Sequence, residues 1–368
     1  MTLPQLDDYR QLFLNDTPML DVRAPSEFAQ GAFPQAQNIP LMSDEERHLV
    51  GLRYKEAGQQ HAIQLGHELV HGEIKASRVA DWVRFSEQHP QGALYCFRGG
   101  LRSQISQQWL YDATGVRYPR IIGGYKALRR FLIDELALSA SQLQPVILGG
   151  RTGSGKTRFL NQLQRQIDLE GIFHHRGSAF GKYASAQPSQ INIENRLAIS
   201  LLKFRQQQIK TLLIEDEAAS IGSRRVPTTI HEVMQRAPVV LLEVPFAERV
   251  ENIFDEYIHV ALDEHQQLHG EQAGFESWAS NLQQALANIE RRLGGQRHLE
   301  IKQLMDDAIQ QQRTTTQTES HKQWIARLLT DYYDPMYDYQ LEKKAERIVY
   351  RGEHDSLLAY LDKAYQVR

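Results

Sequence analysis

The octapeptide GRTGSGKT at 150–157 constrains this chain more than any other feature. It satisfies the spacing G-x-x-x-x-G-K-[ST] and follows the apolar run PVILGG (145–150). A strand, a glycine turn and a helix, expected from Lys156 to Ile167, form the context in which this spacing wraps an anion. Gly150, Gly153 and Gly155 let the backbone close around phosphate, Lys156 reaches the outer oxygens, and Thr157 offers a hydroxyl to Mg²⁺. The helix N-terminus adds its dipole. Two further apolar strands, TLLIED (211–216) and PVVLLEVP (238–245), predict a parallel sheet around the loop. Asp216 stands where a metal-supporting carboxylate is expected, with Glu215 and Glu217 as alternates. The motif calls for a diphosphate or polyphosphate and does not choose between them.

An earlier alternation of strands and helices runs from PMLDVR (18–23) through a helical stretch at 76–88 to ALYC (93–96). A helix at 103–113 and the strand YPRIIGG (118–124) follow. The chain's one cysteine, Cys96, ends the second of these strands, where parallel sheets carry their sites. Its sequel FRGGLRS turns successive backbone N–H groups inward as an anion nest. Arg98 and Arg102 add positive charge, so the reading is a reactive thiolate rather than a packing residue.

A single cysteine excludes a disulfide framework and a multi-cysteine zinc site, and it fits a reducing compartment. No basic-then-apolar leader and no apolar run near 20 residues is present, so a cytoplasmic protein off the membrane is expected. The net charge of −3 and the pI near 6.5 supply no global field for nucleic acid. A polyanion would have to meet local basic pairs, of which Arg129–Arg130, Arg224–Arg225, Arg291–Arg292 and Lys343–Lys344 are the candidates, the first two favoured. HELVH (67–71) matches a zinc-protease signature, but no third ligand follows and it reads as a helix carrying two histidines.

The loop Cys96-Phe97-Arg98-Gly99-Gly100-Leu101-Arg102-Ser103 resembles the active-site loop of the rhodanese family. The resemblance extends to DVRAPSEFAQGAFPQAQNIPL (21–41) and IGGYKALR (122–129). The loop is one residue longer than in many rhodaneses, which argues for a donor other than thiosulfate. Joined to the phosphate loop, and with DLEGIFHHRGSAFG (168–181), QPSQINIEN (187–195) and IEDEAASIG (214–222), the chain resembles the bacterial tRNA 2-selenouridine synthase family along nearly its whole length.

That resemblance implies an α/β protein: a rhodanese-like parallel-sheet domain (1–135), a linker (136–144), a P-loop NTPase-like domain (145–300) and a helical C-terminal region (301–368). It implies replacement by selenium of the sulfur of wobble 2-thiouridine, of the 5-methylaminomethyl type, at position 34. Selenophosphate is the donor, and an S-geranyl intermediate is made from geranyl diphosphate. The expected partners are the tRNA anticodon stem-loop and a selenophosphate-producing enzyme. No cofactor is obligatory beyond a Mg²⁺ held by Thr157 and Asp216, and nothing calls for more than a monomer. Arg176, Ser178, Gln187, Gln190 and Asn195 are expected to line the site facing the phosphate loop. The alternatives are an ATP-dependent tRNA thiolation enzyme, or a P-loop kinase with a regulatory rhodanese-like module.

Overall fold

The computed structural model describes residues 2–367 and shows two compact units, Met1–Ser139 with Ser189–Gln206, and Ala140–Pro188 with Gln207–Arg368. In the first, strands β1 (Gln5–Leu6), β2 (Met19–Asp21), β3 (Ala36–Asn38), β4 (Ala93–Tyr95) and β5 (Arg120–Ile121) form a sheet in the order β1-β5-β4-β2-β3. Every pairing is parallel. Met19, Leu20, Leu94 and Tyr95 are fully buried, as a sheet covered on both faces requires.

Two other elements define this unit. Asp44–Leu69 opens with a capping box, Ser43 with Glu46, and breaks at Gly58, whose φ of 82° no helix accepts. A Cβ on Gly66 would lie 3.9 Å from Val50, whereas a straight helix would separate those residues by about 24 Å. The segment is therefore a helical hairpin. The second element is the helix Gln190–Gln206, which comes late in the chain yet packs here. Asn195 donates to the carbonyl of Ala32 (2.8 Å), and Arg205 grips the buried Glu135 with two bonds (2.7 and 2.5 Å).

The second unit holds β6 (Gln144–Gly149), β7 (Gln166–Ile167), β8 (Thr211–Glu215), an antiparallel pair β9 (Ser220–Ile221) and β10 (Arg224–Arg225), then β11 (Val239–Leu242) and β12 (Ile348–Gly352). The main sheet is parallel, in the order β12-β11-β6-β8-β7. β6 thus sits between strands that diverge to either side, the position where a ligand crevice opens. A helical layer from Phe246 to Lys343 carries its own core around Trp278, Met305 and Trp324.

Two expectations are corrected. The helix after the phosphate loop stops at Leu160, and its expected continuation becomes β7. The C-terminal region is not helical throughout: β12 rejoins the sheet, and Leu357 and Leu361 of the last helix pack with Val146, Leu148 and Val240. Glu353 stands at the N-cap of that helix without a side-chain hydrogen bond to its first turn.

Candidate functional sites

In the first unit, Cys96 follows β4, and the helix Leu101–Thr114 starts just beyond its loop. The thiol is 3% exposed and bonds to Ser103 Oγ at 3.2 Å, while that hydroxyl donates to the carbonyl of Gly100 at 2.9 Å. The loop is clamped from behind by the GGYK turn. Tyr125 N–H donates to the Cys96 carbonyl and Lys126 N–H to that of Phe97, both at 2.9 Å. A Cβ on Gly124, whose φ is +56°, would come within 2.1 Å of the Cys96 carbonyl oxygen. Glycine is obligatory there because backbone meets backbone.

The arginines divide their labour. Arg98 is exposed. Arg102 makes a two-pronged ion pair with Glu27 (2.6 and 3.1 Å), so it is fixed beside the loop by a carboxylate rather than by the thiol. Burial alone would raise the Glu27 carboxyl, but Arg102, the Ala24 amide and Arg47 outweigh it and hold it below the usual range. Arg23, which the sequence offered only as part of a pattern, proves to be an organiser. It is 1% exposed, binds both oxygens of Asp21, and lies 3.8 Å from the centre of the Tyr125 ring.

In the second unit, Gly150, Gly153, Gly155, Lys156 and Thr157 line a cavity of about 1350 Å³. Gly153 and Gly155 adopt φ of 82° and 71°, which the turn needs. Lys156 Nζ folds back onto the Gly150 carbonyl at 3.1 Å. Thr157 Oγ1 lies 2.8 Å from a Glu215 oxygen and 3.0 Å from a Glu170 oxygen. A hydroxyl has one hydrogen, so it donates to one carboxyl and the other must carry a proton to donate in return. Consistently, burial pushes Glu170, Glu215 and Glu217 all above the ordinary carboxylate range, and Glu170 next to the other two adds repulsion.

Asp216 lines the cavity, but both its oxygens bind Lys344 Nζ (2.5 and 2.6 Å). The carboxylate that meets Thr157 from the end of β8 is Glu215 instead. Strand alternation explains the exchange, since neighbouring side chains point to opposite faces.

Of the five expected lining residues, Arg176, Ser178 and Gln187 line this cavity. Arg176 is bound by Glu256 (3.1 Å) and Glu264 (2.5 Å) and lies 3.9 Å from the Tyr183 ring centre. Ser178 shares a hydrogen bond with Tyr257 at 2.5 Å. Gln187 ties the loop to the carbonyls of Phe173 and Ile221 and to Ser223. Gln190 and Asn195 do not line it. They belong to the helix of the first unit, where Gln190 bonds to Glu194 and Asn195 accepts from Arg129. Asn195 is fully buried, and its polarity serves packing. Arg129 is likewise engaged, by Asn195 and Glu194. Arg224 lines the cavity and donates to the Pro188 carbonyl.

Sequence reasoning missed the far wall. Two π-helical turns, Asp255–Val260 and Leu329–Tyr333, bring Tyr257, Val260, Tyr332 and Tyr333 to the cavity beside Ile253, Ile289 and Met336. Such turns have no sequence signature of their own. Among the described residues no cluster of three His, Cys, Asp or Glu has metal-binding geometry, and His71 of HELVH turns its ring to the Glu68 carbonyl. Nor, among the described residues, is any helix long and apolar enough to cross a membrane.

Residues 143–367 match the family described as the tRNA 2-selenouridine synthase AAA domain. Proteins named tRNA 2-selenouridine synthase are similar along the full length. The one from Bordetella bronchiseptica is 53% identical over 96% of both chains. That from Pseudomonas syringae pv. syringae is 52% identical over 98% of both. That from Azotobacter vinelandii is 51% identical over 96% of both.

Proposed function

The chain belongs to the tRNA 2-selenouridine synthase family, and from that premise we propose that it exchanges the sulfur of wobble 2-thiouridine for selenium in two steps. In the first, the 2-thio sulfur attacks geranyl diphosphate: a C–S bond forms, the C–O bond breaks, and diphosphate leaves. In the second, selenophosphate displaces the geranylthiolate from C2, and water releases phosphate to give 2-selenouridine and geranylthiol. Alkylation comes first because a bare thiolate is a poor leaving group from the pyrimidine.

One observation carries this reading. The cavity at the phosphate loop joins an anion cradle to an apolar wall of Ile253, Ile289, Met336 and Tyr333. A nucleoside triphosphate needs the cradle and has no use for so much apolar wall, whereas a prenyl diphosphate uses both. Lys156 and the loop amides receive the charge of the departing diphosphate. Oxygen donors suit Mg²⁺, and Thr157 with Glu215 and Glu170 is the set that would hold it. There it would neutralise the diphosphate. Cys96, at the end of β4, is the group at the selenium step, with Ser103 holding its sulfur and Arg102 charged beside it. The RNA partner is the anticodon stem-loop, and the setting is the cytoplasm.

The test is nucleoside analysis of a 2-thiouridine stem-loop incubated with each donor. Lys156→Ala should lower geranyl transfer at least a hundredfold with RNA affinity within threefold of wild type. Cys96→Ala should geranylate normally and install no selenium. Geranylation intact in Lys156→Ala, with a nucleotide-dependent activity lost instead, would favour ATP-dependent thiolation.

A further inference from the structure

The first unit contains a cavity of about 640 Å³ that the two steps above leave unassigned. It lies within the range of about 300–1,000 Å³ typical of small-molecule pockets. The helical hairpin Asp44–Leu69 forms one wall through Val50 and Ile63, and Leu101, Ile105 and Trp109 form the other. That second wall is the helix that begins at the end of the Cys96 loop, and its second residue, Arg102, lines the cavity too. The pocket and the thiol therefore share one short stretch of backbone.

The lining has two characters. Leu52, Tyr54 and Leu101 keep 45%, 58% and 41% of their surface exposed, an unusual cost for large side chains grouped in one concavity. Around them stand the basic side chains Lys55, His48, His67 and Arg47, the last also paired with Glu27 at 3.2 Å. An apolar floor under a rim of basic side chains, with the Lys55 ammonium among them, suits a hydrocarbon chain covalently attached to a polyanion. A free lipid would not need the rim, and unmodified RNA would not need the floor.

We propose that this pocket binds the geranyl chain of the S-geranylated nucleotide during the selenium step, holding the thioether carbon beside Cys96 while the rim meets the RNA backbone. The proposal rests on the S-geranyl reading given above. Two prenyl sites then exist on the chain. The one at the phosphate loop takes the donor, and this one takes the product of the first step and releases geranylthiol.

The experiment uses the full chain and three stem-loops carrying 2-thiouridine, its S-methyl form or its S-geranyl form. The expected result is that wild type binds the S-geranyl RNA at least tenfold more tightly than the S-methyl RNA and converts it faster with selenophosphate. Ile63→Trp, which fills the pocket, and Leu101→Glu, which charges an exposed part of it, should each reduce that preference to within twofold. Geranylation of the 2-thiouridine RNA by either variant should stay within twofold of wild type, which also reports a folded chain. A preference that survives in both variants, or a wild type that converts both alkylated RNAs without preference, overturns the pocket. A wild type that neither makes nor converts S-geranyl RNA overturns the underlying reading instead.

Discussion

Gly124 shows how much a single atom decides. A methyl there would meet the Cys96 carbonyl oxygen at 2.1 Å and would have to accept a φ of +56°. Gly124→Ala should cost about 1–3 kcal/mol of stability and displace the thiol loop. Selenium transfer should then fall while geranyl transfer holds, and labelling of Cys96 by a thiol reagent should quicken as the loop opens. At the other site, Glu215 and not Asp216 meets Thr157. Glu215→Gln should therefore lower Mg²⁺-dependent transfer at least a hundredfold, and Asp216→Asn less than tenfold, measured as single-turnover rates over a Mg²⁺ titration. Glu217 adds a pH signature. Burial, with Glu170 beside it, raises its carboxyl to about 8, so the folded chain keeps a proton that the unfolded chain sheds above the ordinary carboxylate range. Stability from that group is complete at low pH and is lost as pH climbs toward 8. Chemical denaturation at pH 6 and pH 8.5 should show this loss, and Glu217→Gln should flatten the difference. Both loops were legible in the sequence because each is a contiguous run whose glycines and charged residues act locally. The pairings Thr157–Glu215 and Arg102–Glu27 were not, because they depend on which way a strand residue faces and on which distant carboxylate arrives.

Among the elements, the helices Gly295–Thr315 and His321–Leu328 meet through one neutral histidine. His321 is fully buried, accepts from Trp324 Nε1 at 2.9 Å, and so presents its other nitrogen as donor to Gln312 at 2.9 Å. Burial lowers its pKa to about 4. The unfolded chain takes up a proton near the ordinary value of about 6.5 and the folded chain does not, so stability falls as pH drops between these values. The loss approaches about 3 kcal/mol if unfolding is two-state. Chemical denaturation at pH 7 and pH 4.5 should show it, and His321→Gln should flatten the difference. Element prediction from sequence worked where apolar runs were long, as in β6, β8 and β11. It failed for β12, whose Ile348–Gly352 alternates half-buried and exposed positions on an edge and sits amid charged helices. It also failed past Leu160, where an early stop leaves only two residues of β7.

At the scale of the whole molecule, chain order and packing order differ. Residues 189–206 lie between strands of the second unit and fold with the first. There Lys203 pairs with Asp16, Arg10 donates to Gln206, and Ile191 closes on Gly31. Asn195 read from sequence as site lining because nothing local reveals that its partners come from residues 32 and 129. The expected outcome for a fragment ending at residue 138 is a chain that aggregates, with Glu135 and the face that takes the late helix left bare. Adding a peptide of residues 189–206 should recover a soluble, cooperatively melting species, and equal solubility without the peptide would show the helix to be dispensable. The same interleaving bears on inheritance. A gene split at the boundary near 139 would hand one daughter protein a segment the other needs, and recombination that swaps either half between relatives would bring a mismatched helix with it. The halves of this chain can therefore diverge only together, as one heritable unit.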